Sequence, residues 1–197
     1  MAKRRRRPNY EFKPDSQRVP LQKLLHLTRL QRRQILQWTL NSLLCLLALI
    51  IQDVIMSQVS IQGATTDLVP AMILLICVVS DVHNGSLFTL LVSMVYVFSG
   101  SAPGPYALAY LTISAIAFTV FRQGFWRRGF RSNILCAGLA LLSYELAVYG
   151  TGVFLGLTYF SRIGVFLLTW LLSFLVMLAA YPLILRIRKI GGDTWKE

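Results

Sequence analysis

The sequence is short of charged residues, and of acidic residues most of all. Only 14% of its 197 residues are charged, against about 25% in an average soluble domain. Apolar residues make up 55%, and the mean hydropathy is +0.59. A soluble domain of this length could not bury so much apolar surface in one core. A nucleic-acid-binding domain could carry the net charge of +12, but not with so few charges of either sign. The composition therefore predicts a small polytopic membrane protein.

Signatures of catalysis and metal binding are also missing. The motifs HExxH, GxSxG and GxxxxGK[ST] are absent, and no GxGxxG follows a strand. Two histidines, His26 and His83, offer little to a hydrolase that works through imidazole. Cys45, Cys77 and Cys136 are far apart in apolar segments, without a CxxC pattern, which disfavours disulfides and zinc and favours small buried hydrophobic side chains. We therefore expect a protein that is not an enzyme and that holds no metal or cofactor.

Apolar residues are concentrated in six segments that follow a polar beginning. These segments are Ile35–Ile51, Leu68–Val82, Leu87–Phe98, Tyr106–Phe121, Ile134–Tyr149 and Ile163–Leu185. A bilayer core needs about 20 residues of helix, so the four middle segments are short and require polar flanks, bilayer thinning or burial in a bundle. The pattern predicts an all-α membrane protein, a compact bundle of six transmembrane helices over residues 35–185. Four spans with a re-entrant hairpin at residues 68–98 are the alternative.

Basic residues indicate how the chain is oriented. Eleven precede Ile35, four lie between the fourth and fifth segments, and four follow the last segment. Arg162 alone falls on the other side, and the loops at residues 52–67 and 99–105 have none. An even number of crossings with both termini cytoplasmic satisfies the positive-inside rule. The cytoplasmic side then carries +14 and the outer side −2.

Residues 1–34 form a basic N-terminal tail, and residues 186–197 form a C-terminal tail. We expect both on the cytoplasmic side. No signal-peptide pattern is evident in the tail, and it lacks the interleaved aromatic residues of a nucleic-acid site, so no nucleic acid is expected. Its charge suits anionic lipids, at about 1 kcal/mol per basic residue near the surface. Leu21–Arg33 predicts either a weakly amphipathic interfacial helix or a solvated tail. The expected membrane-surface residues are Arg4, Arg5, Arg6 and Arg7.

Glu145 is the acidic residue that lies deepest in an apolar segment. It lies four residues inside the outer end of the fifth segment, a depth of roughly 6 Å. An ionised group in hydrocarbon costs about 2.5–3.5 kcal/mol, so Glu145 should face the bundle, another protein or water, with Arg162 as a possible partner. The alternative is a carboxylate that reaches the outer interface. Asp53, Asp67 and Asp81 lie at water level, where interfacial solvation accounts for them.

Short motifs lie at the ends of the first four apolar segments and in the loops that join them. A Gln ends the first segment, a loop closes on Gly, and Asp and Pro begin the second. A Ser- and Gly-rich turn then leads into Ala-Leu at the fourth. They read Ile51-Gln52, Ile61-Gln62-Gly63, Asp67-Leu68-Val69-Pro70 and Phe98-Ser99-Gly100-Ser101-Ala102-Pro103-Gly104-Pro105-Tyr106-Ala107-Leu108. From Leu49 to Arg122 the chain resembles the family of the bacterial rod shape-determining protein MreD. Tyr96 departs from this pattern, because the family often has Asp there.

The resemblance implies a non-enzymatic scaffold subunit of the bacterial cell-elongation complex, which carries out lateral peptidoglycan synthesis at the cytoplasmic membrane and maintains rod shape. The implied partners are a membrane-anchored MreC-like protein, RodA, a class B penicillin-binding transpeptidase and, indirectly, the MreB filament. The family is distantly similar in fold to the substrate-binding subunits of energy-coupling-factor transporters, so the alternative is a vitamin- or metal-capturing subunit. The expected partner-binding residues are Gln52, Asp53, Asp67, Pro70, Gly100, Gly104, Tyr106 and Glu145. Fold geometry is the alternative role for Pro70 and Gly104.

Overall fold

The computed structural model describes residues 29–56, 58, 60, 62–125 and 129–190. Within these ranges the protein is all-helical, as the composition predicts. The described residues form six α-helices: α1 (Arg29–Ile51), α2 (Leu68–Val79), α3 (Val82–Phe98), α4 (Tyr106–Phe125), α5 (Phe130–Phe154) and α6 (Ile163–Ile190). A π-helical turn, Gln52–Met56, continues α1, and a 3-10 turn, Phe160–Arg162, leads into α6. The predicted surface residues Arg4 to Arg7 lie outside the described residues.

Each of the six apolar segments corresponds to one helix, although the helices are mostly longer than the segments. α1 begins six residues before Ile35, within the predicted tail, and α6 runs five residues past Leu185. Four helices, α1, α4, α5 and α6, are long and apolar enough to cross a membrane, and α2 and α3 are shorter apolar helices. The chain therefore has the character of a multi-pass membrane protein.

Helix α2 is the centre of the bundle. It packs against each of the other five helices, and all twelve of its residues are buried. Its sequence, LVPAMILLICVV, has no polar face, and a helix that is apolar all round is stable only inside protein or lipid. At 1.5 Å per residue it is about 18 Å long, against a hydrocarbon core of about 30 Å. It therefore fills the middle of the protein rather than its full thickness.

Side chains from other elements satisfy backbone groups at both ends of α2. At the N-terminal end the backbone N–H of Val69 donates to Oε1 of Gln52 at 2.8 Å. At the C-terminal end Nη2 of Arg122 donates to the backbone oxygen of Ser80 at 3.1 Å. Pro70 lies in the first turn of the helix, where its missing N–H costs no intrahelical hydrogen bond. A buried helix with these orphan groups left unpaired would be costly, so both contacts support the central position of α2.

Small residues allow the helices to approach closely. A Cβ atom at Gly85 in α3 would lie 2.9 Å from the backbone oxygen of Cys77 in α2. A Cβ atom at Gly138 in α5 would lie 2.6 Å from the ring of Phe174 in α6, and the indole of Trp170 donates to the Gly138 oxygen at 3.2 Å. Because packing rather than the hydrophobic effect joins helices in lipid, such close contacts favour helix association.

The outer surface of the bundle is apolar. On α1 the buried residues Asn41, Cys45 and Ala48 recur at helical spacing and face inward, while Leu43 and Leu47 are exposed. The same exposure of leucines occurs along α6. Cys77 and Cys136 are also buried, and all three cysteines are free, so their interpretation as small buried side chains is confirmed.

Candidate functional site

The acidic residues Asp67 and Glu145 face one pocket at the N-terminal end of α2. This cavity, named here the acidic pocket, has a volume of about 390 Å³ and lies between the start of α2, the turn at residues 99–105, α5 and α6. Pro103, Tyr106 and Arg162 also line it. Residues that are far apart in the sequence therefore form one concave surface with two carboxyl groups.

Glu145 is buried in this pocket, with 4% of its surface exposed. The expectation that it faces the bundle rather than lipid is thus confirmed. The hydroxyl of Ser173 lies close to its carboxyl group, but that hydroxyl donates to the backbone oxygen of Thr169 and accepts the N–H of Asp67. Both carboxyl oxygens are left without a hydrogen-bond partner within the described residues.

Arg162, the expected partner of Glu145, lies at the same pocket and is exposed to solvent. Within the described part of the chain, no hydrogen bond or ion pair joins it to Glu145. Its guanidinium group is therefore a charge at the pocket's mouth and does not neutralise the buried carboxyl group. The expected pairing of Glu145 with Arg162 is therefore not formed in this structure.

Asp67 is half-buried at the residue before α2. Its backbone N–H donates to Oγ of Ser173 at 2.9 Å, which attaches the start of α2 to α6. Burial raises the pKa of the Asp67 carboxyl group to about 6, since removal from water disfavours the charged form. Asp67 therefore changes charge in a pH range well above that of an ordinary aspartate.

Asp53 lies outside the acidic pocket and holds the turn at residues 99–105. Its Oδ2 atom accepts a hydrogen bond from the hydroxyl of Ser101 at 2.8 Å. Gly100 in this turn has φ +78°, a conformation that side chains disfavour. A Cβ atom at Gly104 would lie 2.5 Å from the ring of Tyr106, so the glycine leaves room for that ring beside the pocket. Both glycines thus shape the turn.

Gln52 and Pro70 support the fold at the same end of the bundle. Gln52 caps α2 across a separation of 17 residues, and Pro70 is buried in the first turn of that helix. The cap is a structural role that the sequence analysis missed. The sequence favoured Asp67 as the cap, since Asp commonly caps a helix it precedes, but its side chain makes no capping hydrogen bond.

A polar network at the opposite end of α2 was not anticipated. Arg122 was counted only as a basic residue after the fourth segment, yet 1% of its surface is exposed. Its Nη1 atom donates to Oδ1 of Asn133 at 2.9 Å, and Nδ2 of Asn133 donates to the hydroxyl of Tyr181 at 3.1 Å. Together with the bond to Ser80, this network joins α4, α5 and α6 to the C-terminal end of α2.

Within the described ranges no group of three or more His, Cys, Asp or Glu residues is placed to hold a metal ion. Comparisons of the chain with protein-family models, with curated proteins and with solved structures found no match.

Proposed function

We propose that this protein is a non-enzymatic scaffold subunit of the bacterial cell-elongation complex, which maintains rod shape by binding an MreC-type partner. The observation that carries the proposal is that the stretches resembling MreD meet at one end of the bundle. Gln52 binds the backbone of Val69, and Asp53 binds Ser101 in the Ser- and Gly-rich turn. Asp67 and Tyr106 line one pocket. Motifs that are distant in sequence thus form one structural unit.

In this proposal the protein crosses the bacterial cytoplasmic membrane six times and both termini are cytoplasmic. The support is the distribution of charge, with nineteen basic residues on one side and Arg162 alone on the other. The basic tail binds anionic lipids on the cytoplasmic leaflet. RodA, the class B transpeptidase and, indirectly, the MreB filament are further members of the assembly.

The partner is bound on two surfaces. The outer side carries Asp53, Asp67 and Glu145 against Arg162, so it attracts a basic segment that follows the partner's single membrane span. The span itself packs against the apolar surface that the outer helices expose, where leucines such as Leu43 and Leu167 point away from the bundle.

Co-purification in detergent with the MreC-like protein of the same cell tests this proposal. We expect the two proteins to elute together, and Asp53→Lys to reduce the recovered partner several-fold because it adds repulsion on the outer side. Asp81→Lys places the same charge change at the opposite end of α3 and should leave recovery unchanged. Absence of the partner from the wild-type eluate, or rod shape that survives depletion of this protein, would exclude the scaffold role.

A substrate-capture subunit of an energy-coupling-factor transporter is the second candidate. The observation that favours it is the acidic pocket, because that alternative expects an outward pocket near Glu145, Tyr106 and the turn at residues 99–105. Its volume of about 390 Å³ lies in the usual range of ligand sites, about 300–1,000 Å³. One feature counts against this candidate. Such subunits dock to their transporter partner through an alanine-rich first span, whereas Ala48 is the one alanine from Trp38 to Ile51.

Thermal denaturation of the detergent-solubilised protein with a panel of vitamins separates the two candidates. A capture subunit should gain several degrees in Tm with one vitamin at micromolar concentration, because binding to the folded state stabilises it. A scaffold should respond to none of them and should be stabilised by its partner instead.

A further inference from the structure

The acidic pocket collects buried polar atoms that have no partner. Besides both carboxyl oxygens of Glu145, they include the hydroxyl of Tyr144 and Oγ1 of Thr158, all within the described residues. The hydroxyl of Tyr96 lies close to that of Tyr144 but does not reach hydrogen-bond geometry. Buried polar atoms in native proteins are nearly always hydrogen-bonded, so several unpaired atoms around one cavity indicate a missing partner.

The hydrogen-bonding character of these atoms indicates what kind of ligand would fit. A carboxylate only accepts hydrogen bonds, and hydroxyl oxygens can accept as well. An ammonium or guanidinium group supplies several donors together with the positive charge that a buried carboxylate needs. Asp67 adds a second carboxyl group to the same pocket, while exposed Arg162 remains at its mouth. Both carboxyl groups can become negatively charged, and a cation bound beside them favours that ionised form.

The remaining walls suit a short apolar body attached to the cation. Val148 and Val165 line the pocket, as do the rings of Tyr149 and Phe166, whose centroids lie 5.1 Å apart. Aromatic faces attract cations and pack well against aliphatic or aromatic chains. A strongly hydrated metal ion would gain little from these walls.

We propose that the acidic pocket binds an organic cation, with an ammonium or guanidinium group at Glu145 and a short apolar body against Phe166 and Val148. This site goes beyond the scaffold role and does not depend on it. The same chemistry could come from a free small molecule or from a Lys or Arg side chain of a bound protein, and the experiment distinguishes these sources.

Calorimetric titration of the full-length protein in nanodiscs of neutral lipid tests the site with phenethylammonium, butylammonium and butylguanidinium. Phenylethanol and butanol are the matched neutral probes. We expect at least one cation to bind ten-fold or more tightly than its neutral counterpart. Glu145→Gln should weaken that binding at least ten-fold, whereas Asp81→Asn, an acid at the other end of the bundle, should leave it unchanged. Tyr144→Phe, which removes an unpaired hydroxyl, should weaken it two- to five-fold.

Equal affinity for cations and alcohols, binding unaffected by Glu145→Gln, or no heat from any cation at millimolar concentration would overturn the proposal. A lysine-containing peptide that displaces the bound cation would show that a protein side chain can occupy the site, and failure to displace it would assign the site to free small molecules. Co-purification of Glu145→Gln with the MreC-like partner separates the hypotheses. Intact recovery with lost cation binding supports both the scaffold role and an independent site, whereas loss of both would show that the partner's basic segment uses Glu145 and would overturn the independence of the site.

Discussion

The two ends of α2 use polar residues in opposite ways. At the C-terminal end, Arg122 binds the backbone of Ser80 and the side chain of Asn133, which in turn binds Tyr181. At the N-terminal end, Glu145 is also buried, but neither of its oxygens is hydrogen-bonded to any of the described residues. A buried polar group that joins several helices stabilises the fold, whereas one that is buried and unpaired costs stability unless water or a ligand meets it. The first end is therefore structural and the second end is the candidate site.

The largest effect is expected at the structural end. Arg122→Ala leaves the Ser80 oxygen and the Asn133 side chain without their donor, so it should lower the free energy of unfolding by about 3 kcal/mol. Unfolding in mixed micelles, followed by tryptophan fluorescence, measures the loss. Arg186→Ala, which removes an exposed arginine from α6, is the control and should change little. Equal effects of the two substitutions would contradict the structural role of the network.

A smaller loss of unfolding free energy is expected when the Gln52 cap at the other end of α2 is removed. Gln52→Ala leaves the buried N–H of Val69 unpaired and should cost about 1–3 kcal/mol. Gln52→Glu keeps an acceptor oxygen and should recover most of the loss, while Gln58→Ala at an exposed position should have no effect. If Gln52→Ala unfolds like the wild type in the same assay, the hydrogen bond contributes nothing to stability.

Replacing Glu145 should raise stability, in contrast to the losses expected at Arg122 and Gln52. Glu145→Met replaces an unpaired buried carboxyl group by an apolar side chain of similar length, so the apo protein should gain about 1 kcal/mol. The gain would appear as a higher Tm in detergent without ligand. A loss comparable to that of Arg122→Ala would show that Glu145 stabilises the fold, and the distinction between the two ends would fail.

The last prediction concerns pH. In an unfolded chain an aspartate has a pKa of about 3.9, whereas burial raises the pKa of Asp67 to about 6. The folded state therefore favours the protonated form, and the stability from this group is complete below pH 4 and lost as the pH rises through 6. Tm should fall by a few degrees between pH 5 and pH 7. Asp67→Asn should show a smaller fall, and an identical fall in both proteins would exclude Asp67 as its source.

The helices were predictable from sequence because an apolar segment in a membrane protein has few alternatives to a helix that satisfies its own backbone hydrogen bonds. Glu145 could be identified in the same way, since an acid four residues inside an apolar segment must find protein or water. The role of Arg122 could not, because a basic residue at the end of a span reads as a cytoplasmic charge unless its depth is known. Likewise, Gln52 and Val69 are 17 residues apart, and only the packing of α1 against α2 shows that they meet.

The enclosure of α2 has a consequence for biosynthesis. Among the described helices α2 is the second to be synthesised, yet its surroundings include α5 and α6, which are made last of these. Until α6 is in place, Asp67 lacks the Ser173 hydroxyl to which its backbone N–H donates. The burial of α2 is therefore completed only after the second half of the chain has been made.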